Sequence, residues 1–322
     1  FYNIPRMVAD GGNFGNIEAL TAGEMEYLAA LQSKLQEHKK AMYPSLVAAS
    51  PSSYCALSID PSLQEEKQQE VILALVELLE RVADKLQCVN RGFLYVREDM
   101  VSFLDQTLIP RGYTKAVMGA DCILPVLWDD FEEYLQIFSS KRRVNIRRER
   151  KRFSDAGIRV QTLSGAQALT PELFDLQLAL RKKHGINGNP EELRKRYRAM
   201  KNNLNENILL FQAIKENRII GFVLYFQYNN SLYSYVAGFD YEQQERDFCY
   251  FNLVIYEPLI WAIRHGIKRI HFGLTAYEAK LRRGCALKDL TGYFSFQGKN
   301  SSLAVEAIKW YSQSEKQSLD AF

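Results

Sequence analysis

Three short apolar runs, joined by turns that contain asparagine, constrain the fold of this chain more than any other feature. Each run is rich in β-branched and aromatic residues, which favour strands. Runs of this kind with such short connections are typical of an antiparallel meander, so three consecutive paired strands are predicted in the second half of the chain. The runs are residues 208–214, 219–228 and 231–239, and the turns are Asn217-Arg218 and Asn229-Asn230.

Strand and helix signals alternate on both sides of this meander, which predicts a mixed α/β chain. The length of 322 residues suggests two domains of ordinary size. We place residues 1–130 in a scaffold or acceptor-side domain and residues 131–322 in a domain that carries the chemistry. The other predicted strands are 54–59, 92–96, 113–127, 158–163, 268–272 and 291–297, and the predicted helices are 22–40, 64–86, 98–108, 129–156, 171–183, 190–203, 249–265 and 304–314.

Composition narrows the classes of protein that the chain can represent. Apolar residues make up 47% and aromatic residues 12% of the sequence, which is enough for packed cores. No stretch approaches the roughly 20 apolar residues of a membrane helix, so stable membrane insertion is not expected. The five cysteines are scattered without a CxxC pair, and the four histidines show no metal-ligand spacing, so neither a disulfide framework nor a metal site is predicted. Reduced cysteines fit a cytoplasmic protein best.

A strongly basic helix is predicted at residues 129–156. Between Lys141 and Arg152 it holds eight basic residues and one acid, and cations this dense repel one another unless an anion relieves them. Phosphates of RNA or of a nucleotide are suitable anions, although a solvated helix face is the simpler interpretation. The residues predicted to contact phosphate are Lys141, Arg143, Arg147, Arg148 and Lys151.

Two charges interrupt the apolar stripe of this helix. At 100° per residue, Arg142 and Glu149 fall among the apolar side chains that are expected to pack against the rest of the protein. A charge on a packed face has to be paired or functional. We therefore expect Arg142 and Glu149, with Asn145 alongside, to support the site as structural partners.

The stretch HFGLTAYEAKLRRG, residues 271–284, is the strongest candidate for an active-site segment. It leaves the end of a buried strand, which is where α/β folds place chemistry. A solvated surface turn is the alternative interpretation. The stretch carries one acid, one phenol and three cations: Glu278, Tyr277, Lys280, Arg282 and Arg283.

The basic SSKRRVNIRRERKRF stretch, followed by an α/β region that ends in GLTAYEAKLRRG, resembles the FemAB-like branch of the GNAT acyltransferase superfamily, of the peptidoglycan-biosynthesis or recognition type. The likeness covers residues 90–300 and implies tandem GNAT-like domains, each with a mostly antiparallel mixed sheet flanked by helices. The segment 281–284 is similar to the Phe-Lys-Lys-Gly segment of Fem peptidyltransferases, in which a cation stabilises the negative charge of the reacting ester. The resemblance implies that Arg282, with Lys280 beside it, has this role. The chain departs from that segment in having leucine for phenylalanine and arginine for both lysines.

The donor expected from these features is aminoacyl-tRNA, a co-substrate, with no tightly bound cofactor. Acetyl-CoA-using members of the superfamily hold pyrophosphate on a glycine-containing loop at a helix N-terminus. The corresponding stretch here, QQERDFCYFN, contains no glycine, and Glu242, Glu245 and Asp247 in and beside it would repel pyrophosphate. A basic helix suits tRNA phosphates instead, with Arg283 as a further phosphate contact.

The predicted reaction is amide formation, in which the amine of an acceptor attacks the ester carbonyl of the aminoacyl group. Lys280 and Arg282 are the expected catalytic cations, and Glu278 or Tyr277 is placed to take the proton. Two alternatives stay open: an acyl-CoA-dependent N-acyltransferase, and a non-catalytic recognition module that keeps the fold.

Overall fold

A computed structural model of the chain describes residues 21–49, 59–60, 62–183, 185, 189–240 and 248–322. The described residues form two compact units, and the C-terminal part of the chain is shared between them. The first unit holds the residues up to Asp121 with Leu274–Ala279 and Leu287–Phe322, and the second holds Cys122–Gly273 with Lys280–Ala286.

The first unit contains a small mixed sheet. Strand β1 pairs with β2 in parallel, and β2 pairs with β9 in antiparallel register from Asn90 opposite Phe296 to Val96 opposite Thr291. Because β9 completes this sheet, the C-terminal region belongs with the first unit and a single cut near residue 130 does not separate the two. The elements are α1 (Ala22–Glu37), β1 (Ser45–Ala48), α2 (Glu65–Lys85), β2 (Asn90–Val96), α3 (Glu98–Leu108), β3 (Thr114–Pro125), β9 (Ala286–Phe296) and α11 (Ser301–Asp320), with a 3-10 turn at Lys39–Met42.

The closing helix α11 contributes to the core of the first unit. Helix α1 begins at a capping box, in which Thr21 and Glu24 exchange hydrogen bonds between side chain and backbone. It then presents Leu28, Leu31 and Leu35 to the same buried cluster that receives Ala307 and Ile308 from α11. The N-terminal and C-terminal helices therefore share one hydrophobic core.

The second unit confirms the predicted meander. Strands β4 to β7 pair in antiparallel order along the chain, β8 pairs in parallel with β7, and β8 pairs in antiparallel fashion with residues 123–125 of β3. The prediction of a mixed α/β fold is thus confirmed. The elements are α4 (Phe131–Leu135), α5 (Ser140–Asp155), β4 (Arg159–Ser164), α6 (Pro171–Lys183), α7 (Pro190–Asn203), β5 (Ile208–Lys215), β6 (Arg218–Tyr228), β7 (Ser231–Phe239), α8 (Cys249–Phe251), a π-helix (Asn252–Tyr256), α9 (Glu257–Arg264), β8 (Arg269–His271) and α10 (Tyr277–Leu281), which continues from the first unit.

Two predicted helices are interrupted. The helix predicted over 129–156 is two helices, α4 and α5, because the side chain of Ser139 accepts from the backbone N–H of Arg142 and starts a new helix there. The helix predicted over 249–265 contains the π-helix in its middle. Proline at 258 has no N–H for the carbonyl of Val254, and that carbonyl instead accepts a hydrogen bond from the buried phenol of Tyr225 at 2.6 Å.

Helices α6 and α7 have the predicted ends, whereas β1 and α10 were not predicted. Strand β9 begins at Ala286 instead of residue 291, and α11 spans Ser301–Asp320 instead of residues 304–314. The strand predicted at 54–59 lies almost entirely outside the described residues. No helix in the described ranges combines the length and apolar content needed to cross a lipid bilayer.

Candidate functional site

Strand β8, which leads into the predicted active-site segment, is short and pairs only briefly with the neighbouring strand β7. Strand β8 pairs with β7 over three residue pairs, from Ser231 opposite Arg269 to Tyr233 opposite His271. Strand β7 continues to Phe239 and carries an extra residue at Tyr235, where its register with β6 shifts. Two parallel strands of unequal length thus part at the end of β8, where the ring of His271 stacks on Tyr233 at 4.5 Å.

The side chain of Lys280 binds the backbone at this strand end. Its ammonium group donates to the carbonyls of Phe272 and Gly273 at 3.0 and 3.1 Å, and the residue is only 5% exposed. These carbonyls lie just beyond the pairing of β8 with β7, and the Gly273 carbonyl also accepts a hydrogen bond from the backbone N–H of Cys122 at 3.2 Å. Lys280 was predicted to be a catalytic cation, but its buried ammonium holds protein carbonyls, so the geometry assigns it a positioning role.

Arg283 lies at the centre of a buried polar cluster. Its guanidinium contacts the Glu149 carboxylate at 2.9 Å and donates to the phenol of Tyr256 at 2.9 Å, and this phenol also donates to Glu149. The ring of Phe251 lies 3.3 Å from the guanidinium carbon, measured to the ring centroid. Burial raises the pKa of Tyr256, so this phenol stays protonated as the donor to Glu149.

This burial corrects one prediction from the sequence. Arg283 was expected to contact a phosphate, but it is 3% exposed and its donors are engaged by Glu149 and Tyr256. Glu149 lies 134 residues away in sequence, and nothing in the segment 271–284 itself shows that Arg283 points inward.

The two expected structural charges contact each other. A guanidinium nitrogen of Arg142 lies 3.8 Å from a carboxylate oxygen of Glu149, and the Nε of Arg142 donates to the carbonyl of Arg282 at 3.0 Å. Tyr134 on α4 donates to the next carbonyl, that of Arg283, at 2.9 Å. Helices α4 and α5 therefore fix the backbone of residues 280–286, which we call the arginine turn.

Arg282 is the cation that the arginine turn leaves exposed. Its neighbour Arg283 points into the buried cluster, and its own carbonyl is held by Arg142. Gly284 follows with a φ of +83°, and a Cβ at this position would lie 2.9 Å from Ile137. A tight, glycine-dependent turn thus presents one arginine side chain to solvent from a fixed backbone.

The basic helix α5 relieves part of its charge within the protein. Four of its eight cations contact carboxylates: Arg142 with Glu149, Arg147 with Glu132, Arg150 with Glu257 and Lys151 with Asp155. Arg143 donates to the carbonyl of Phe138 and to Ser140, and Asn145 is half-buried.

The exposed side of α5 still carries a line of cations. Lys141, Arg148 and Arg152 are separated by seven and four residues, so they project from one side of the helix. All three are exposed, and Arg152 lies over the ring of Phe248 at 5.8 Å. Within the described part of the chain, Lys141 and Arg148 have neither an ion pair nor a side-chain hydrogen bond. We call these three residues the cation line.

Two predicted catalytic residues lie in the first unit. Tyr277 is half-buried and its phenol oxygen accepts a hydrogen bond from the backbone N–H of Ala120 at 3.1 Å, whereas Glu278 is exposed. Sequence reasoning missed Glu315, a half-buried carboxylate near Tyr277 on α11. The rule that singled out Arg142 and Glu149, a charge on an apolar helix stripe, finds Glu315 as well once the helix is extended past residue 314.

A family comparison covers nearly the whole chain. The FemAB-like family, described as peptidoglycan biosynthesis/recognition, matches residues 20–321. None of the curated proteins matches the chain.

Solved structures with this fold support the architecture. The structure of L-PGS from Bacillus licheniformis has 10% identity and a TM-score of 0.50, covering 73% of this chain and 78% of that one. The C-terminal domain of a putative lysylphosphatidylglycerol synthetase from Agrobacterium fabrum has 12% identity and a TM-score of 0.53, covering 76% and 78%. FemX has 13% identity and a TM-score of 0.53, covering 76% and 80%. At these identities the likeness concerns the fold.

Proposed function

The chain belongs to the FemAB-like family, and from this premise we propose that it is an acyltransferase that moves an aminoacyl group from aminoacyl-tRNA to an amine. Family membership supports a transferase in general. The choice of donor rests on the second unit of this chain. The name of one structure with this fold, a putative lysylphosphatidylglycerol synthetase, agrees with aminoacyl chemistry.

One hydrogen bond carries the proposal. Arg142 of the basic helix donates to the carbonyl of Arg282 at 3.0 Å, so α5 and the arginine turn belong to one packed block. The cation line on α5 offers charges to tRNA phosphates, and Arg282 offers a charge to the oxygen of a reacting ester. Both charges are held by the same buried cluster around Glu149.

The proposed reaction is the formation of an amide from an ester, and it needs few protein groups. The amine nitrogen forms a bond to the ester carbonyl carbon, the oxygen becomes negative, and the bond to the tRNA ribose oxygen then breaks as that oxygen takes up a proton. Arg282 stabilises the negative oxygen, and water accepts the proton lost by the amine. No tightly bound cofactor is required.

Acyl-CoA is the alternative donor. The stretch 243–252 has no glycine and is acidic, and the helix that follows β7 starts with a three-residue α-helix preceding the π-helix. A pyrophosphate is best held by the free N–H groups of a regular helix N-terminus. These features disfavour coenzyme A relative to tRNA.

The experiment is transfer of label from a pool of radiolabelled aminoacyl-tRNAs to a panel of amines, with and without ribonuclease, and in parallel from labelled acetyl-CoA. We expect ribonuclease-sensitive transfer that depends on Arg282. If label is transferred only from acetyl-CoA, the donor is acyl-CoA and not aminoacyl-tRNA. If the protein binds tRNA or an amine but transfers label from neither donor, the non-catalytic recognition module is favoured.

A further inference from the structure

A groove of about 460 Å³ lies between helices α6 and α7 of the second unit. The start of α6, with the residues just before it, forms one side, and the second half of α7 forms the other. Every residue that lines the groove belongs to the second unit. Binding sites for small organic molecules are typically concave and a few hundred cubic ångström in volume, so the groove has the size of such a site.

Buried rings form the floor of this groove. Phe174 of α6 and Tyr197 of α7 are each 7% exposed, and their rings pack edge to face with centroids 6.1 Å apart. The phenol of Tyr197 donates to Gln177 at 2.8 Å, which fixes the orientation of the ring. Leu169 lines the groove as well and belongs to the same hydrophobic core. Because the floor is part of a packed core, it is formed before any ligand binds.

Three cations line the α7 side of the groove. Arg194, Arg198 and Lys201 are spaced four and three residues apart, so they project from one face of the helix, and all three are exposed. The described residues provide one carboxylate to this trio, that of Glu191, which lies 2.7 Å from Arg198 and 3.8 Å from Arg194. One carboxylate does not neutralise three cations, so this side of the groove keeps a net positive charge.

Arg194 is positioned by a ring and not by an acid. Its guanidinium carbon lies over the ring of Phe174, 4.8 Å from the centroid, and a guanidinium placed on a ring keeps its N–H donors at the edge of its own plane. The contact with Glu191 at 3.8 Å is too long for a hydrogen bond. Among the residues that the structure describes, the Arg194 side chain has no hydrogen-bond partner. Its donors are therefore available to a ligand on the floor of the groove.

A single acid lines the α6 side of the groove. Asp175 is exposed, and across the described ranges it forms no ion pair, so it does not neutralise Arg194 or Lys201 on the facing helix. Its charge repels any anion in the groove, and the repulsion grows with the charge of that anion. Asp175 thus penalises a dianion more than a monoanion.

We propose that this groove binds an organic carboxylate that carries an aromatic group. The aromatic group packs on Phe174 and Tyr197, and the carboxylate accepts charge-assisted hydrogen bonds from Arg194 and Lys201. The cations select an anion, the floor selects an attached ring, and Asp175 selects one negative charge over two. The site is independent of the proposed transfer, because it contains no residue of the arginine turn or of the cation line.

Binding of phenylacetate is measured by saturation-transfer NMR, with phenylacetamide as the uncharged isostere and benzyl phosphate as the dianion. The pH is about 7.5, at which a phosphate monoester carries close to two negative charges. Wild type is expected to bind phenylacetate saturably and more tightly than either of the other two compounds. Equal binding of phenylacetamide would overturn the anion site, and tighter binding of benzyl phosphate would overturn the choice of a carboxylate.

Arg194→Gln removes the cation that lies over the floor, so its dissociation constant for phenylacetate should rise about tenfold. The matched control is Arg196→Gln on the same helix, which changes the net charge equally. Arg196 is exposed and lies about 200° around the helix from Arg194, outside the groove. This control should bind phenylacetate like wild type, and melting temperatures verify that both variants are folded. Equal losses in the two variants would reduce the effect to net charge and overturn the site.

Asp175→Asn should tighten binding of phenylacetate about two- to fivefold, because it removes a repulsion between like charges near the surface. The gain for benzyl phosphate should be larger, since that ligand carries the greater charge. A merely structural role of Asp175 would not raise affinity. Absence of saturable binding by wild type, or unchanged affinity in Arg194→Gln, overturns the inference. Loss in Arg194→Gln together with gain in Asp175→Asn upholds the carboxylate site, whatever the outcome of the aminoacyl transfer assay.

Discussion

Two adjacent arginines of the arginine turn have opposite environments. Arg282 is exposed, whereas Arg283 is 3% exposed and paired with Glu149 at 2.9 Å. One side chain therefore serves chemistry in our proposal and the other serves stability. Substituting each arginine in turn therefore compares an exposed and a buried residue of the same type.

Arg282→Ala is expected to reduce turnover about 10²- to 10³-fold, because it removes the cation at the developing oxyanion. Its melting temperature should remain near that of wild type. Arg283→Ala should lower the free energy of unfolding by about 3–5 kcal/mol, because Glu149 is left buried beside an alanine. Steady-state kinetics and urea titration measure the two effects. A stable Arg283→Ala protein, or a fully active Arg282→Ala enzyme, would contradict this division of roles.

Glu315 gives the stability of the first unit a pH dependence of predictable sign. Burial raises its pKa in the folded state, so its favourable contribution is present below the ordinary pKa of a glutamate and is lost as the pH rises through the folded value. Glu315→Gln does not titrate. We expect the variant to become more stable than wild type as the pH rises from acid to neutral, with a vanishing difference at acid pH.

Urea titrations of both proteins at several pH values measure this difference. Asp320→Asn is the control, because Asp320 is exposed and already pairs with Lys316. A constant difference between wild type and Glu315→Gln across the pH range would show that the carboxylate has no raised pKa.

At the scale of elements, the basic helix combines a structural side and a solvent side. Arg142, Glu149, Ile146 and Phe153 face the protein, while the cation line faces outward. The pattern of eight cations predicted both sides, but it did not predict which cations find carboxylates. Two of those carboxylates lie on other elements, Glu132 on α4 and Glu257 on α9.

Reversal of the cation line, Lys141, Arg148 and Arg152 to Glu, is expected to abolish tRNA binding at physiological salt. Wild-type binding should weaken as salt rises, with a slope in log Kd against log salt of about 0.7–0.9 per phosphate contact. The control reverses three cations of α2, Lys67, Arg81 and Lys85, and so changes the net charge equally. Filter binding across a salt series distinguishes the two. If both triple variants lose tRNA affinity equally, the effect comes from net charge and not from the cation line. If wild type does not bind tRNA, aminoacyl-tRNA is not the donor.

Regular elements were predictable from the sequence because their signals are local. Helices α6 and α7 begin at proline, and the meander strands show β-rich runs bounded by turns, so both were predicted to within a few residues. The closing helix was predicted too short, because the polar stretch after Ser314 lacks an apolar repeat. There an ion pair between Lys316 and Asp320 supports the last turn.

The candidate site was predictable only in part. The segment 271–284 was identified from its charges and its place after a strand. Which of those charges are buried depends on contacts with residues more than 100 positions away, such as Glu149 with Arg283, and no local pattern carries that information. Lys280 shows a different limit: its ammonium partners, the carbonyls of Phe272 and Gly273, are near in sequence, but the charge pattern does not show that the chain folds back onto them.

At the scale of the whole molecule, the first unit is discontinuous in sequence. Strand β9 pairs with β2, and α11 supplies Ala307, Ile308 and Tyr311 to the core that holds the leucines of α1. A cut at residue 130 removes both elements from that unit. The second unit, by contrast, is continuous from Cys122 to Ala286 apart from Leu274–Ala279.

This difference predicts how fragments of the chain behave. Residues 1–130 alone are expected to remain unfolded, because β2 lacks its β9 partner and Leu28, Leu31 and Leu35 lose the helix that covers them. Residues 122–286 are expected to unfold cooperatively, because the meander, β8, the basic helix and the arginine turn are all retained. Circular dichroism during urea titration and the dispersion of amide NMR signals measure both outcomes. A cooperative transition in residues 1–130 would mean that β9 and α11 are dispensable to the first unit, and the core assigned here to the two terminal helices would have to be abandoned.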